Sequence, residues 1–327
     1  MKKYVIIDLQ NCMMRSKHSA HQGADVWTRI GLALHITLSS IKKVFEEHKA
    51  DHVVFCAEGR SWRKDIDTKY KRNRDQTVKK MSPQDQEELQ IFFGMVNEFT
   101  AFIKEKTNST LLQNSICEAD DLIARWIQTH PEDHHIIVST DKDFHQLLSD
   151  NVEQFDPIYS FLYTIYGVYD DKGNPAHSNA GKPIETPDPE FSLFVKCIRG
   201  DTSDNVFSAY PGVRMKSTKK KIGITEAYND RKTQGYPWNN FMNQRWTHHD
   251  GSEKVVKEQY HKNKLLVDLT MQPDVIKESM DETIKEAKEQ QPKQYIGLEF
   301  IKLCNKYELE NISSNPQPYV EFFKKGL

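Results

Sequence analysis

The chain has 327 residues, room for about two domains at the usual ~150 residues each. Its 45 Lys+Arg against 47 Asp+Glu leave a formal charge of −2, and a mean hydropathy of −0.71 with 37% hydrophobic residues is polar for a globular protein; 10% aromatic content nevertheless excludes a disordered chain. No apolar run approaches the ~18–20 residues of a membrane span, Asp8 ends the stretch after Lys2-Lys3 too soon for a signal peptide, and five scattered cysteines without C-x-x-C spacing argue against a disulfide framework or a cysteine-rich zinc site. A soluble, cytoplasmic protein of a reducing compartment is the expectation.

Lys3-Tyr4-Val5-Ile6-Ile7-Asp8 is a short β-branched run ending in a carboxylate and predicts a first strand. From about Trp27 to Phe45 the apolar residues Ile30, Leu34, Leu38, Ile41 and Phe45 keep helical spacing. Asp51 to Cys56 predicts a second strand running into Ala57-Glu58-Gly59. Ser82-Pro83, a cap followed by proline at the first helical position, opens a helix to about Lys104. Glu118-Ala119-Asp120-Asp121 opens another, stopping near Pro131, and His134 to Ser139 predicts a third strand ending in Thr140-Asp141-Lys142-Asp143. Residues 152–169 alternate roughly between apolar and polar, as a hairpin or edge strands would. The proline-rich loop Asp170 to Pro189 is the softest boundary, and beyond it helices are expected at Glu253–Tyr260, Pro273–Glu289 and Gly297–Leu309. Strands separated by helices imply an α/β fold with a mostly parallel sheet flanked by helices.

Charge is segregated along this chain. Between Arg60 and Lys80 there are nine basic residues and only Asp65, Asp67 and Asp75 as acids, and a second basic patch comprises Arg214, Lys216, Lys219, Lys220 and Lys221. Either patch alone reads as a solvated face; two in a net-acidic chain favour a polyanionic partner. The acids collect elsewhere. In an open parallel sheet ligands bind beyond the carboxyl ends of the strands, where Asp8, Glu58 and the pair Asp141/Asp143 are expected. Glu118 and Asp121 share a helical face with Asp120 at the helix start, and Asp201 and Asp204 are also three apart. Each acid alone has an ordinary reading as a cap or turn residue. Crowded together, several would bind protons near neutrality unless cations held them ionised. A cluster of oxygen ligands with no His or Cys at ligand spacing suits Mg²⁺ or Mn²⁺ rather than zinc. Two such ions can clamp the attacking and leaving oxygens of a phosphodiester displacement, with the basic patches holding a nucleic-acid backbone.

Asp8 after the first strand, Glu58-Gly59-Arg60-Ser61-Trp62-Arg63-Lys64-Asp65 leading to Tyr70-Lys71-Arg72-Asn73-Arg74, Glu118-Ala119-Asp120-Asp121, Ser139-Thr140-Asp141-Lys142-Asp143-Phe144 and Gly200-Asp201-Thr202-Ser203-Asp204-Asn205 occur in this order. Together they resemble the 5′ nuclease (flap endonuclease) superfamily, most of all the phage ribonuclease H-type 5′→3′ exonucleases. Asn263 to Leu269 is similar to the helical segment near the end of the family's core, so the resemblance runs over nearly the whole chain. It implies a PIN-like 5′ nuclease core at 1–190, with a basic helical arch at about 60–104, and a helical DNA-binding domain with a variant helix-hairpin-helix region at 191–327.

The resemblance further implies two Mg²⁺ ions, for which Mn²⁺ can substitute. One is held mainly by Asp8, Glu58, Glu118, Asp120 and Asp141; the second lies nearer Asp143, Asp201 and Asp204, with Asp121 between the groups or behind them. Arg63 and Lys71 would contact the scissile phosphate. Arg60, Lys64, Arg72 and Arg74 would grip DNA at the arch, Tyr70 would stack on a base or pack within the arch, and Arg214, Lys216, Lys219, Lys220 and Lys221 would meet duplex phosphates. Two positions depart from the family pattern. Glu58 stands where Asp is usual, and after Pro211-Gly212-Val213 the short glycine-to-glycine spacing is absent, so the family's potassium site is not carried over.

The expected function is removal of RNA primers or 5′ flaps in DNA replication by a monomeric enzyme, from bacterial or phage-infected host cytoplasm, acting on DNA with a flap, nick or RNA–DNA junction. A single-stranded-DNA-binding protein or a clamp are conceivable partners; a membrane is not. The alternatives are a PIN-like ribonuclease and a structure-specific DNA-binding protein without activity. His134 and His135 read as surface or packing residues, His248-His249-Asp250 as a polar loop before a helix, Cys117 and Cys197 as buried small hydrophobes, and Tyr319 to Phe323 as the closure of the C-terminal core.

Overall fold

The computed structural model describes residues 1–19 and 25–327. In chain order the elements begin β1 (Lys3–Asp8), α1 (Leu9–Ser19), α2 (Val26–Glu47), β2 (His52–Ala57), α3 (Arg63–Ile66), α4 (Arg72–Lys80) and α5 (Pro83–Lys106). Next come β3 (Thr110–Gln113), α6 (Ala119–Thr129), β4 (His134–Val138), a 3-10 turn (Lys142–Leu147), β5 (Val152–Asp156), β6 (Phe161–Tyr163) and β7 (Val168–Tyr169). The remainder is α7 (Pro189–Arg199), α8 (Ile224–Asn229), α9 (Tyr236–Met242), β8 (Arg245–Thr247), β9 (Glu253–Val255), α10 (Val256–Val267) and α11 (Asp274–Lys288). Helices α12 (Ile296–Lys306), α13 (Glu310–Ser313) and α14 (Gln317–Lys324) end the chain.

These elements form two compact units. The first takes residues 1–61, 81–187 and 273–327, the second 62–80 and 188–272. The units therefore follow no single cut near residue 190: the chain leaves the first unit at Pro187, close to the proline-rich boundary, and re-enters it at Pro273.

The first unit is built on a seven-stranded sheet in the order β3-β2-β1-β4-β5-β6-β7. The first five strands pair in parallel and β6 and β7 antiparallel, which is the hairpin expected at 152–169. All six residues of β2 and five of six in β1 are buried, because the β-branched and aliphatic residues are covered on both faces. Strands run outward from β1 to β2 and β3, and the chain then returns to place β4 on the other side of β1. The sheet thus has its topological switch point between β1 and β4, the place beyond the strand ends where open parallel sheets bind ligands. Helix α5 starts where Ser82 accepts the Asp85 N–H at 3.1 Å and Pro83 fills the first turn. Its Phe92, Met95, Val96, Phe99, Phe102 and Ile103 enter one core with Phe300, Phe322 and Phe323, so the C-terminal aromatic run closes the core as expected. Of the stretch 60–104 expected to form a basic arch, residues up to Lys80 carry short basic helices, whereas 83–106 is an amphipathic core helix.

The second unit packs α7, α8, α9 and α10 around Phe194, Ile198, Ile224, Phe241 and Val256. One expectation is corrected here. The helix expected from Glu253 begins at Val256, because 253–255 pair with 245–247 as a two-stranded ribbon whose turn holds His248-His249-Asp250. Strand β3 was not expected, since Thr-Leu-Leu-Gln is only four residues long and has no alternation to mark it. All five cysteines are buried free thiols. Among the described residues no helix is long and apolar enough to cross a membrane.

Candidate active site

The carboxyl ends of β2, β1 and β4 lie side by side, with Asp8 opposite Cys56 and Ile7 opposite Val138. Asp8 ends its strand almost fully buried. Its Oδ2 accepts the Ser139 hydroxyl at 2.9 Å and its Oδ1 the Asn11 N–H at 3.3 Å. Burial pushes its carboxyl up to about 7; the neighbouring Glu58 and Asp141 charges push the same way, against the Ser139 hydrogen bond.

Glu58 follows β2 directly. Gly59 behind it must be glycine: a Cβ there would stand 1.9 Å from the Asn114 carbonyl oxygen, so only a bare Cα lets this strand end approach the 114–117 loop. That approach sets Glu58 Oε2 3.2 Å from the Ala119 N–H, in the first turn of α6, where helix geometry leaves amide donors open and favours negative charge. Glu118, at the N-cap of α6, is buried and accepts the Ser61 hydroxyl at 2.6 Å. Asp121 is fully buried and accepts the Glu118 N–H at 3.2 Å, half of a capping box. Asp121 therefore positions the helix start, and Asp120, half-buried, lies on the first turn beside it.

Beyond β4, Asp141 Oδ1 accepts the Asp143 N–H at 2.9 Å, and the Ser139 hydroxyl, which also binds Asp8, accepts the Asp141 N–H at 3.1 Å. The chain turns here into a 3-10 helix, so strand alternation does not persist to 143. Buried Gln154 fixes this turn from β5, donating to the Ser139 and Asp141 carbonyls at 2.8 Å each. Ser139, Asn11, Ser61 and Gln154 escaped sequence reading. Only Ser139 and Ser61 had a signal, as hydroxyls two and three residues from expected ligands.

In the second unit the acids are engaged differently. Asp204 is buried; its Oδ2 accepts the Tyr70 hydroxyl at 3.0 Å and lies 3.7 Å from Lys71 Nζ, and its Oδ1 accepts Arg74 Nη2 at 2.7 Å. The Asp204 carbonyl accepts the Lys71 N–H at 2.8 Å. Asp201 Oδ2 pairs with Lys196 Nζ at 2.6 Å; burial raises its carboxyl, but the lysine and the Ser203 hydroxyl outweigh that and hold it below its ordinary value. Gly200 ends α7 at φ 77° against the Val206 carbonyl oxygen, 2.3 Å from where a Cβ would be, which closes the 201–206 turn.

Tyr70, considered for base stacking, is buried among Cys197, Val206, Leu266 and Val267 with its hydroxyl on Asp204, so the structure supports packing in its place. Arg63 is buried against the Trp62 ring at 4.6 Å. Lys64 is half-buried, while Arg60, Arg72 and Arg74 are exposed. Arg214, Lys216, Lys220 and Lys221 line a cavity of about 340 Å³ on the 210–222 loop, and Lys219 is exposed beside it. In that loop the Gly223 N–H donates to the Ser217 hydroxyl and the Ser217 N–H to Glu226, at 2.9 Å each, a closure unlike a short glycine hairpin.

The sequence profile of the 5′-3′ exonuclease N-terminal resolvase-like domain matches residues 3–173. Flap endonuclease Xni of Shewanella halifaxensis is 29% identical over 228 residues, 68% of this chain and 78% of that one. DNA polymerase I of Rhizobium leguminosarum is 29% identical over 183 residues, 55% of this chain, and the aligned part is only 15% of the polymerase. Among solved structures, the T5 D15 protein crystallised with metal ions superposes with a TM-score of 0.59 at 20% identity, covering 88% of this chain and 98% of that one. The bacteriophage T5 D15 flap endonuclease in a complex with DNA and metal ions gives 0.58 at 20% identity over 88% of this chain and 100% of the other. At that identity the likeness shows the fold: a mostly parallel α/β sheet flanked by helices. With its profile match covering more than half of its length, the chain belongs to the 5′-3′ exonuclease family of 5′ nucleases.

Proposed function

We propose that the chain is a divalent-metal-dependent, structure-specific 5′ nuclease that cuts 5′ flaps and degrades 5′ ends, removing RNA primers or flaps during DNA replication. The observation that carries this reading is the crowding of carboxylates at the switch point of the sheet. Burial and two neighbouring carboxylates bring Asp8 up to about 7, a cost that an external cation would relieve. The donor set is all oxygen, which fits Mg²⁺ and admits Mn²⁺. Asp8, Glu58, Glu118, Asp120 and Asp141 would hold the ion, with Ser139, Ser61 and the α6 amides orienting three of them.

Bound there, a divalent cation supplies neutralisation of phosphate charge and a lowered pKa for water. The protein's own part is to fix those carboxylates at the ends of β1, β2 and β4 and the start of α6, and to set cationic side chains for the polyanion. In the hydrolysis a water oxygen forms the new P–O bond, the bond to the 3′ oxygen breaks, and the water proton ends on that oxygen. The products are a 5′-phosphate and a 3′-hydroxyl. Arg63, Lys71, Arg60, Lys64, Arg72 and Arg74 are proposed to meet the cut strand, and the five cations of the 210–222 loop to meet duplex backbone. Phosphate contacts position a duplex without reading its sequence, which suits recognition by structure. If about five phosphates are met by that loop, log K falls with log[salt] at a slope of roughly −4 to −5.

The test is cleavage of a 5′-labelled flap duplex in Mg²⁺ beside nicked, blunt, single-stranded DNA and single-stranded RNA substrates. Release of an intact flap at the junction supports the proposal. Cleavage confined to single-stranded RNA would establish the ribonuclease alternative, and binding without product in Mg²⁺ or Mn²⁺ the inactive DNA-binding one.

A further inference from the structure

We propose that the second unit carries a single-stranded DNA site, centred on Phe207, in which an unpaired base stacks on an aromatic platform and its flanking phosphates sit on lysines. Phe207 is 57% exposed although its backbone is anchored: its carbonyl accepts Nδ2 of buried Asn263 at 2.8 Å. The residue before Val206, Asn205, adopts φ 58°, and Val206 itself is buried, so the closed 201–206 turn fixes where the next ring emerges. Behind Phe207 lies Trp246, its ring 5.7 Å away and inclined by only 27°; Trp246 is itself pinned by its Nε1–H on the Ala209 carbonyl at 2.9 Å. His248 closes the group edge-on at 5.4 Å from Phe207, and His249 lies 3.8 Å from His248. A lone exposed aromatic needs no explanation. Here one face of a supported, pre-ordered stack is left to solvent, and a nucleobase offers every such face the same π surface.

The charge beside it fits that ligand. Phe207 forms one wall of a cavity of about 180 Å³ that also takes in Lys69, Lys254 and Lys262. Of the two carboxylates on the wall, Asp67 is paired with Lys262 at 2.6 Å and Asp250 is taken up by the Ser252 hydroxyl and N–H at 2.6 and 2.9 Å. Lys69 and Lys254 add two further ammonium groups for phosphates. A duplex hides its base faces in its own stack, so the platform selects an unstacked strand. The inference rests on the nuclease reading only in choosing DNA as the polymer.

The experiment uses the full chain in EDTA, where cleavage plays no part, and reads fluorescence anisotropy of a short fluorescein-labelled oligothymidylate beside a blunt duplex. Phe207→Ala is expected to weaken single-strand binding roughly tenfold, the effect of losing one base–aromatic stack, with duplex binding unchanged. Phe207→Tyr is expected to retain it, which controls for folding, and Lys254→Ala to flatten the single-strand salt slope by about 0.7. Equal affinity of Phe207→Ala and the wild type for the oligonucleotide overturns the proposal, as does equal loss on both DNAs. A wild type that cleaves flaps while Phe207→Ala binds normally would sink this site and leave the nuclease standing. A wild type that never cleaves but loses single-strand binding on Phe207→Ala would do the reverse.

Discussion

Two acidic regions of this chain use the same residue type to opposite ends. Asp8, at the end of the first strand, is met by a hydroxyl and an N–H and faces two further carboxylates, and burial with that repulsion raises it to about 7. Asp204 and Asp201, in the second unit, are met by Arg74, Lys71 and Lys196, and Asp201 is held below its ordinary value. Burial and like charge govern Asp8, whereas cations of the same unit meet Asp201 and Asp204. Acids at regular spacing in a sequence cannot tell these cases apart. What separates them is the charge set against each acid: the carboxylates of Glu58 and Asp141 at Asp8, and in the second unit Lys71 and Arg74 from the 62–80 segment and Lys196 from α7 at Asp204 and Asp201.

The largest effect should come from breaking the first arrangement. Asp8→Asn is expected to reduce flap cleavage by about a thousandfold or more, because it removes a proposed metal ligand. The same change should stabilise the chelator-treated protein by on the order of 2 kcal/mol, since it takes one charge out of a buried like-charged group. Adding Mg²⁺ should then raise the melting temperature of the wild type and leave Asp8→Asn unmoved. A variant that loses cleavage but melts lower than wild type in EDTA would show that Asp8 is structural.

Asp204→Ala should do the opposite. It removes the carboxylate that faces the largely buried Lys71 ammonium and accepts the Tyr70 hydroxyl, so a cost of about 3 kcal/mol is expected in chelator. Tyr70→Phe, which removes one hydrogen bond to Asp204 and keeps the ring among Val206 and Leu266, should cost about 1 kcal/mol. Urea melts check both, and faster proteolysis within 62–80 would locate the loss.

Acid separates the regions again. Burial pushes His52, His135 and His145 of the first unit down to about 4. His52 is neutral there, one ring nitrogen on the Lys325 carbonyl and the other on Thr110. The unfolded chain therefore binds more protons between its ordinary histidine value and about 4. Stability from these groups is complete above about pH 6.5 and lost as the pH falls through that window, by about 2 kcal/mol per histidine near pH 5. Asp201, being lowered, keeps its contribution until the pH drops below the ordinary carboxylate value. Denaturation at pH 7 and 5 should show the loss, and His52→Gln should have a shallower pH slope than wild type.

Most of the first unit was legible because its strands are short aliphatic runs ended by acids, and α2 and α5 keep strict apolar spacing with readable caps. The acids of the switch point were legible for the same reason: each follows a strand or starts a helix. Three things were not. The fold's return at Pro273 to complete the first core depends on aromatic partners hundreds of residues apart, Phe99 and Phe102 with Phe323. Tyr70 could be read as stacking on a base or as packing, because its burial comes from α7 and α10, which no local pattern announces. The Phe207 platform joins a turn to a ribbon forty residues later, and the ribbon was read as helix from Glu253 because its strands are three residues each.

The smallest expected effect concerns Glu58, where the related family usually has Asp. The extra methylene lets its carboxylate reach the Ala119 N–H at 3.2 Å while the backbone of Gly59 is pressed against the 114–117 loop, so the strand end itself cannot move closer. Glu58→Asp would draw the oxygen back from α6, losing one charge-assisted hydrogen bond of about 1 kcal/mol and changing how the carboxylate faces its neighbours. Mg²⁺ enforces octahedral geometry more strictly than larger ions, so cleavage in Mg²⁺ should fall severalfold while cleavage in Mn²⁺ changes less. Equal loss with both metals would mean that Glu58 acts through α6 alone, as a brace for Glu118. A gain in Mg²⁺ would mean instead that the longer side chain is a compromise with the close packing at Gly59, and that the shorter acid restores the better ligand.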